Sequence, residues 1–550
     1  MIIRTVRATF ASIILSVLVF TTLYRPPLFE QQIAEEHKSI IYPALVHTTT
    51  NSSPFNSNCA IEEQQQQQDH HLQFFLIISI LFPAWEVILL LPPNKLLPPD
   101  STDFFCLYSN NHSSEAIHLG KISSPERQLL RCILPESNRR RQPFPQPNLV
   151  GGNSQIGLPS PKSKMLHWNY IVYESLSTEQ DLILFVKGIN NRQGINKSPT
   201  EFRCLFFFDQ NRIKTAVTIS SQEVFRCNLP MNSNYPATKV TLEMVKSNQL
   251  IPSVAYYTPF SKPTSKQTKS LMCACTMVYN VAKFIREWIV YYSAIGVEKF
   301  IFYDNGSDDG FEEIVNQLIN EGYEIETRFW VWQKTQEAGF SHCAIQFKET
   351  CEWMIFVDVD EFIYSPSWIN FTNPVKNMIS SLLPKSTNIK NREIIAQVMI
   401  SCYEFGPSNQ TEHPEMGITQ GYDCRRRMDN RHKSIVLLDA IDDSLLNVVH
   451  HFKLREGYIR RKVSLREAVV NHYKYQAWSE FRMKFRRRVS AYVTDWTQSV
   501  NPMSKDRTPG LGFDPVEPYG WSQKFCEVYD HRLRNLTWIW FGSKQGSQRF

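Results

Sequence analysis

From about residue 270 onward, short apolar runs typical of β-strands alternate with amphipathic segments typical of α-helices. The segment 281–296 carries apolar residues at helical spacing and stops at Gly296. The predicted strands are MCACTMVYN, KFIFYDNGSDDG, YEIETRFWVW and WMIFVDVDEF, and the predicted helices between them are VAKFIREWIVYYSAIG, FEEIVNQLINEG and QEAGFSHCAIQFKETC. This alternation predicts an α/β domain with a mostly parallel sheet and helices on both faces. Ligands of such sheets bind at the carboxyl ends of the strands.

An acidic motif ends the last of these predicted strands. The apolar run WMIFV is followed by Asp358, Val359, Asp360 and Glu361. Alternate side chains of a strand share a face, so Asp358 and Asp360 are expected to point the same way. Mn²⁺ and Mg²⁺ prefer carboxylate oxygens, and such cations can hold a nucleotide diphosphate. The competing interpretation is a solvated acidic turn after a core strand.

Two earlier strand ends also carry polar residues. Thr276 and Asn280 follow the first strand, and the turn that begins with Asp304 and Asn305 follows the second. An aspartate at a strand end can accept a hydrogen bond from a ribose hydroxyl or a base N–H. The turn composition DNGSDDG is common by itself. Its position between Asn280 and the acidic motif predicts a nucleotide site at this edge of the sheet.

Length and charge limit the classes of protein to consider. A chain of 550 residues is expected to fold into two or more domains. The net charge of +6 is mild, and the sequence has no polybasic tail. The sequence therefore gives no reason to expect a nucleic-acid partner.

The N-terminus predicts a membrane anchor. We expect a cytosolic tail at 1–7, a transmembrane signal anchor at 8–24 and a flexible stem at 25–70, which includes a run of glutamines. Arg4 and Arg7 precede the apolar stretch, so the positive-inside rule places the catalytic body in a lumen. A cleaved signal peptide is the competing interpretation. With several N-x-[ST] sequons and 12 cysteines, the sequence predicts a single-pass type II glycoprotein of the Golgi membrane.

Short apolar runs separated by turn residues predict a separate β-rich domain at 71–262 that resembles a sandwich. The apolar segment 72–91 contains Pro83 and Glu86, so we interpret it as buried strands rather than a second membrane span. Similar spacing in two half-units predicts the disulfides Cys106–Cys132 and Cys204–Cys227. The further expected pairs are Cys343–Cys351 and Cys402–Cys424, with Cys273 and Cys275 on opposite strand faces and Cys526 unpaired.

The chain resembles glycosyltransferase family 92, which includes the plant β-1,4-galactan synthases. The resemblance rests on the segment CTMVYN to DNGSDDG, on KTQEAGFSHCAIQFKETCEWMIFVDVDEF, and on GYDCRRRMDNRHKSIV, NVVHHFKLREG and VVNHYKYQAW. It implies a GT-A fold over 270–540, a UDP-sugar donor, Mn²⁺ or Mg²⁺, and inversion at the anomeric carbon. It also implies that the β-rich domain is related to carbohydrate-binding sandwiches.

The resemblance implies roles for individual residues. Asp304 corresponds to the acid that contacts uridine, beside Asn280 and Asn305, and Asp358 and Asp360 correspond to the metal motif. A late histidine is a further metal ligand, with His450 or His451 preferred and His472 second. The cations expected to neutralise the departing diphosphate are Lys433, Arg425, Arg426, Arg427 and Arg431.

An inverting transfer needs one general base for the acceptor hydroxyl. The candidates are Glu404, Glu415 and Asp423, and the sequence does not select among them. The predicted function is metal-dependent transfer of a hexose, galactose from UDP-galactose, onto a glycan acceptor such as cell-wall β-1,4-galactan. A homodimer is compatible with the sequence.

Two other interpretations remain open at the level of sequence. One is a non-catalytic secretory glycan-binding protein with a degenerate transferase domain. The other is a phosphatase with an aspartate nucleophile, whose motif also places two aspartates after an apolar strand. That motif usually lies on the first strand, whereas here it follows several strand–helix units.

Overall fold

The computed structural model describes residues 77–542, with gaps at 94–96, 98–103, 110, 124, 140–142, 145, 152–163, 191–194, 209–210, 232–236, 262–267, 385–392, 449 and 484–516. The predicted tail, anchor and stem (1–70) lie outside the described residues. Within the described residues, no helix is both long enough and apolar enough to cross a membrane.

The region that precedes residue 260 is built from strands, as the sequence predicts. They are β1 (Ile78–Leu81), β2 (Glu86–Leu90), β3 (Phe104–Leu107), β4 (Ser113–Glu115), β5 (Ile117–Ile122), β6 (Arg127–Ile133), β7 (Asn148–Gly151), β8 (Leu166–His167), β9 (Ile171–Ser177), β10 (Asp181–Lys187), β11 (Phe202–Phe208), β12 (Asn211–Ser221), β13 (Val224–Asn228), β14 (Thr238–Met244), β15 (Gln249–Leu250) and β16 (Tyr256–Tyr257). Their sheets have the orders β5-β6-β2-β1-β8, β15-β14-β11-β12-β13-β10-β9 and β4-β3-β7, and β16 pairs with β14. The exact limits of the predicted β-rich domain, 71–262, remain predictions.

The apolar segment at 72–91 is the first hairpin of this region. β1 and β2 pair antiparallel, and most of their residues are buried. The interpretation as buried strands is therefore confirmed for the described part of the segment.

The remainder of the chain contains the predicted alternation of strands and helices. The elements are β17 (Ser270–Val278), α1 (Ala282–Ile295), β18 (Lys299–Asp304), α2 (Phe311–Asn320), β19 (Glu324–Phe329), α3 (Gln336–Gln346), β20 (Cys351–Phe356), β21 (Glu361–Tyr364), β22 (Ile394–Glu404), α4 (Ile418–Gly421), β23 (Cys424–Arg425), β24 (His432–Leu437), β25 (Tyr458–Lys462), β26 (Val469–His472), β27 (Val528–Tyr529) and α5 (Arg532–Thr537), followed by a π-helical turn, Trp538–Gly542. Short 3₁₀ helices occur at Pro83–Trp85, Glu136–Asn138, Pro199–Glu201, Pro366–Asn370, Ser380–Leu382, Leu438–Ala440 and Trp521–Gln523.

The large sheet of this part is mixed. Its order is β19-β18-β17-β20-β24-β22-β26-β21, and β25 lies beside β22. The four strands β17 to β20 run parallel, as predicted, whereas β24 is antiparallel to both β20 and β22. Because β17, β18 and β20 are parallel neighbours, their carboxyl ends meet at one edge.

Different elements cover the two faces of the sheet. α1 and α2 pack on one face, where the shared core includes Met272, Phe300, Trp288 and Phe311. α3 and the β-rich region pack on the other face, where the shared core includes Cys275, Met354, Phe340, Phe185 and Trp168. Helices do lie on both faces, as predicted. On the second face, however, α3 covers only part of the sheet, and strands of the preceding region cover the rest.

A glycine ends α1, as the sequence predicts. Gly296 has φ of 114°, and its N–H donates to the carbonyls of Tyr292 and Ser293. A Cβ at this position would lie 1.9 Å from the carbonyl oxygen of Lys376. Both the left-handed backbone and the close approach therefore require glycine.

The disulfides confirm two predicted pairs and correct the others. Cys106–Cys132 and Cys204–Cys227 are formed as expected. The expected pairs Cys343–Cys351 and Cys402–Cys424 are wrong, and Cys526 does have a partner. The structure instead forms the pairs Cys273–Cys351, Cys275–Cys343 and Cys424–Cys526, and Cys402 is a buried thiol. Residues two apart in a strand share a face, so the expectation that Cys273 and Cys275 point in opposite directions is also wrong.

The β-rich region is joined to the large sheet by buried polar and aromatic contacts. Trp168 stacks on Trp332 with ring centroids 5.6 Å apart, and the indole N–H of Trp332 donates to Glu174 Oε2 at 3.0 Å. Gln222 makes a reciprocal pair with the backbone of Asn447, with Nε2 donating at 2.7 Å and Oε1 accepting at 3.2 Å. These contacts fix the loops that lead from β19 to α3 and from β24 to β25.

Replacing Gln222 with alanine is expected to lower the free energy of unfolding by about 1–3 kcal/mol, because the N–H and carbonyl of the buried Asn447 lose their partner. Urea unfolding of the purified protein measures this change. Gln249→Ala removes the same side chain from an exposed strand position and is expected to change stability by less than about 0.5 kcal/mol. Equal effects of the two substitutions would contradict the role given to the Gln222 pair.

Candidate functional site

The acidic motif lies in a tight turn at the carboxyl end of β20. β20 ends at Phe356 and β21 begins at Glu361, so Asp358 and Asp360 are outside both strands. The turn is closed by the N–H of Glu361 donating to the Asp358 carbonyl at 3.0 Å, and by the N–H of Asp358 donating to Glu361 Oε2 at 2.9 Å. Strand alternation is therefore not the reason for the position of the two aspartates. The turn places them at the predicted edge of the sheet.

A buried lysine lies among the side chains of Asp358, Glu361 and His450, which are called the first group below. Lys433 Nζ is 2.7 Å from Glu361 Oε1, 2.5 Å from His450 Nε2 and 3.6 Å from Asp358 Oδ2. Burial lowers the pKa of Lys433, but the carboxylates of Glu361 and Asp358 outweigh burial and raise it above its ordinary value. The lysine therefore stays protonated. Burial, together with the Lys433 ammonium, holds the pKa of His450 well below its usual range, so this imidazole is neutral and accepts from Lys433.

A second group consists of Asp360, Glu361 and His472, and it shares Glu361 with the first. His472 Nε2 lies 3.4 Å from Asp360 Oδ2, and His472 Nδ1 lies 3.5 Å from Glu361 Oε1. The register of β21 and β26 causes this proximity, because Glu361 and His472 are direct cross-strand partners. Burial raises the pKa of Glu361 to about 7, and the adjacent Lys433 acts in the opposite direction.

Both groups have a donor set that suits a divalent cation. The ligand atoms of Asp358, Glu361 and His450 lie within 4.8 Å of one another, and so do those of Asp360, Glu361 and His472. Carboxylate oxygens with one imidazole nitrogen are a set that Mn²⁺ accepts readily. Among the described residues, the ammonium of Lys433 contacts all three side chains of the first group, whereas in the second group it contacts Glu361.

The structure does not bring His451 to the acidic turn. Its ring stacks on His432 with centroids 3.9 Å apart, and its Nε2 is 3.1 Å from the His432 carbonyl. Burial and the neighbouring His432 lower the pKa of His451 to about 3. Of the three predicted histidines, His450 and His472 therefore lie at the site.

The polar residues at the ends of β17 and β18 support a loop. Asn280 Nδ2 donates to Asp308 Oδ1 at 2.7 Å, and Asn280 Oδ1 accepts from the N–H of Asp308 at 2.9 Å. Asn305 Nδ2 donates to the Trp330 carbonyl at 2.5 Å. Both asparagines therefore hold the loop after β18 in place.

Asp304 begins this loop and remains partly exposed. Its Oδ1 accepts from the N–H of Ser307 at 3.0 Å and from the Ser307 hydroxyl at 2.6 Å. Burial raises the pKa of Asp304, and the Ser307 bonds partly offset this effect. The carboxylate is thus oriented by the turn at the edge where the acidic motif also lies.

Glu404 lies at the end of β22, beside the second group. It is the cross-strand partner of His472, and it accepts from Lys474 at 2.5 Å, from Asn430 at 3.1 Å and from Arg426 at 3.4 Å. Burial alone would raise the pKa of Glu404, but Lys474 and the other cations lower it below its ordinary value. Glu404 is therefore ionised and is a weak proton acceptor.

The other two base candidates lie elsewhere. Glu415 is exposed on the wall of a surface cavity. Asp423 Oδ2 accepts from Arg534 at 2.6 Å and lies 3.5 Å from His531 Nδ1. No contact between described residues joins either acid to the acidic turn.

Sequence reasoning missed Gln336, the first residue of α3, whose Nε2 donates to Asp358 Oδ1 at 3.2 Å. A single glutamine at a helix start carries no signal of such a role.

Arg425 also differs from expectation, because its guanidinium pairs with Asp530 at 2.7 Å and stacks on Tyr403. Arg425 therefore stabilises the fold around β23.

The geometry defines a class of site, a cluster of carboxylates and imidazoles at the carboxyl ends of parallel strands. Comparison with known proteins gives the family. The family model for glycosyltransferase family 92 matches residues 268–507. A family 92 protein of Arabidopsis thaliana is 40% identical over 390 residues, covering 68% of this chain and 67% of its own length. A family 92 protein of Ricinus communis is 38% identical over 460 residues, covering 80% of this chain and 79% of its own length.

The chain therefore belongs to glycosyltransferase family 92 and is a glycosyltransferase. Among solved structures, a mannosyltransferase of Pyrobaculum calidifontis in complex with GDP-mannose and Mn²⁺ is 12% identical, covers 26% of this chain and 38% of its own, and has a TM-score of 0.19. A score this low supports no statement about shared architecture.

Proposed function

We propose that this protein is an inverting, metal-dependent hexosyltransferase with a GT-A domain. Its donor is a UDP-sugar, with UDP-galactose as the first choice, and its acceptor is a glycan such as β-1,4-galactan. The observation that carries the proposal is the turn Asp358–Glu361. It lies beside His472, and one strand, β17, separates it from the loop that Asp304 begins.

The second group, Asp360, Glu361 and His472, is the proposed holder of the metal, with Asp358 beside it. The first group already contains a cation, because the Lys433 ammonium contacts Glu361, His450 and Asp358. A dication placed among the same three side chains would be repelled by this ammonium. When bound, Mn²⁺ or Mg²⁺ would neutralise charge on the diphosphate leaving group. His472 thus replaces His450 and His451 as the preferred histidine ligand.

The same geometry changes the proposed role of Lys433. Its ammonium is buried and is engaged by Glu361 and His450, so it is an internal counterion of the acidic turn. Arg426 and Lys474 are better placed for the diphosphate, because Glu404 orients both at the same sheet edge. Asp304 is the proposed acceptor for a ribose hydroxyl or a base N–H.

The proposed compartment is the lumen of the Golgi, with the chain held by a single N-terminal anchor. Five disulfides join described cysteines, which supports an oxidising compartment. The anchor itself is proposed from the apolar run at 8–24 and its preceding arginines.

A screen of donor hydrolysis tests the proposed function. A secreted form without residues 1–24 is incubated with each of several nucleotide sugars, with Mn²⁺ or with EDTA, and release of the nucleotide is measured. We expect hydrolysis of a UDP-hexose that requires the metal, and an increase in Tm when Mn²⁺ and UDP are present together. Absence of both hydrolysis and a Tm shift for every donor would favour the non-catalytic glycan-binding interpretation.

A further inference from the structure

A surface cavity of about 520 Å³ lies between the segment around α4 and the C-terminal helix α5. The side chains that matter for its chemistry are Gln410, Glu415, Met416, Gln420, Arg534 and Trp538. Its volume is in the range of sites that hold small organic ligands. None of these residues belongs to the acidic turn or to its two groups.

The lining combines apolar faces with amides and balanced charge. Trp538 is 54% exposed and Met416 is 49% exposed, so both present apolar surface to a ligand. Glu415 and Arg534 carry opposite charges, and Gln410 and Gln420 add amide groups. A nucleotide or another polyanion would meet the Glu415 carboxylate. An uncharged ligand with many hydroxyls and apolar ring faces suits this lining best, because an indole supplies a flat apolar surface and the polar groups supply hydrogen bonds.

The walls of the cavity are fixed by buried contacts. Glu287 of α1 accepts from the N–H groups of Ile418 and Thr419 at 2.7 and 2.9 Å and from the Thr419 hydroxyl at 2.6 Å. Gln420 Nε2 donates to the Arg534 carbonyl at 2.9 Å and to Thr537 Oγ1 at 2.7 Å. These bonds tie α4 to both α1 and α5. A ligand would therefore bind a preformed surface and would not pay for ordering it.

The cavity is close to the proposed reaction centre along the chain. Gly421 lines the cavity, and Arg426 donates to Glu404, the cross-strand partner of His472. Five residues of fully extended chain span at most about 18 Å, so the Cα atoms of Gly421 and Arg426 lie within that distance. This limit permits one extended ligand to contact both Gly421 and Arg426.

We propose that this cavity is a distal subsite for a neutral oligosaccharide acceptor. Sugar rings remote from the transferred residue bind across Trp538, and Gln410, Gln420, Glu415 and Arg534 contact their hydroxyls. The proposal rests on the proposed function for the identity of the ligand as an acceptor, but binding itself does not require catalysis.

The direct test is binding of β-1,4-linked galactohexaose to the protein without donor, measured by titration calorimetry and by NMR saturation transfer. We expect Trp538→Ala to weaken binding about tenfold, which corresponds to the loss of one aromatic contact. Tyr519→Ala, which removes a fully exposed aromatic ring outside the cavity, is expected to leave binding unchanged. In transfer assays, Trp538→Ala should raise KM for hexaose and leave kcat, donor hydrolysis and KM for a disaccharide unchanged.

Several results would overturn the subsite. One is equal hexaose binding by the parent and Trp538→Ala, and another is no hexaose binding by the folded parent. A third is a glycan on Asn535, a cavity residue within the sequon Asn535-Leu536-Thr537, found by peptide mass spectrometry, because it would fill the cavity. Donor hydrolysis without hexaose binding would overturn the subsite and leave the proposed function standing. Hexaose binding without hydrolysis of any donor would leave the binding site standing and contradict the proposed function.

Discussion

Replacing Asp360 with asparagine is expected to reduce sugar transfer by at least about 100-fold, because a metal ligand that supports several kcal/mol of charge stabilisation loses its charge. Asparagine has nearly the same shape as aspartate, so the fold is expected to persist although the site is buried. Transfer assays and Mn²⁺ binding followed by electron paramagnetic resonance measure the two consequences separately. Asp443→Asn, at an exposed surface pair, is the matched control and is expected to change neither.

The two histidines give the sharper form of this test. His472→Ala is expected to weaken Mn²⁺ binding at least about tenfold, because His472 belongs to the proposed metal group. His450→Ala is expected to leave Mn²⁺ affinity within about threefold, because His450 accepts from Lys433 instead. The opposite pattern, with His450 required and His472 dispensable, would place the metal in the group that contains Lys433.

Local sequence patterns predicted the elements of the α/β part well. The helix expected at 281–296 is observed at Ala282–Ile295, and the strand expected at 272–280 is observed at Ser270–Val278. Apolar periodicity reports which side of a segment is buried, so it identifies elements whose neighbours are close in sequence. The position of the acidic motif at a strand end was predictable for the same reason.

The partners of the acidic turn could not be predicted in this way. Glu361 meets Lys433 and His472 because β24 and β26 enter the same sheet far downstream, in an order that no local pattern specifies. The family resemblance favoured the adjacent pair His450 and His451 over His472, and which of these histidines binds a metal stays a prediction. The disulfide prediction that relied on nearness in the sequence is wrong: Cys351 pairs with Cys273, 78 residues away, rather than with the nearby Cys343.

The contact between the β-rich region and the large sheet is a further feature that local sequence patterns could not predict. The strands of the region are recognisable in the sequence, but its contact with the large sheet depends on buried side chains from distant segments. Trp332 stacks on Trp168 and donates its indole N–H to Glu174. The region is therefore part of the scaffold that holds the loop leading to Gln336, whose side chain donates to Asp358.

The second large effect concerns Lys433, the internal counterion of the acidic turn. Lys433→Met is expected to lower the free energy of unfolding by about 3–5 kcal/mol, because it leaves the carboxylate of Glu361 buried without its counterion. Thermal and urea unfolding measure the change. Lys453→Met breaks an exposed pair with Asp442 and is expected to cost less than about 1 kcal/mol.

The double variant Lys433→Met with Glu361→Gln separates the ion pair from simple packing. Removing both charges leaves no uncompensated ion, so most of the stability lost by Lys433→Met is expected to return. If the double variant is no more stable than Lys433→Met alone, the lysine stabilises the turn through its aliphatic chain. Metal titration adds an independent result: in this variant the Lys433 ammonium no longer repels a dication placed among Asp358, Glu361 and His450. Lys433→Met is therefore expected to bind a second Mn²⁺ ion, whereas the parent binds one.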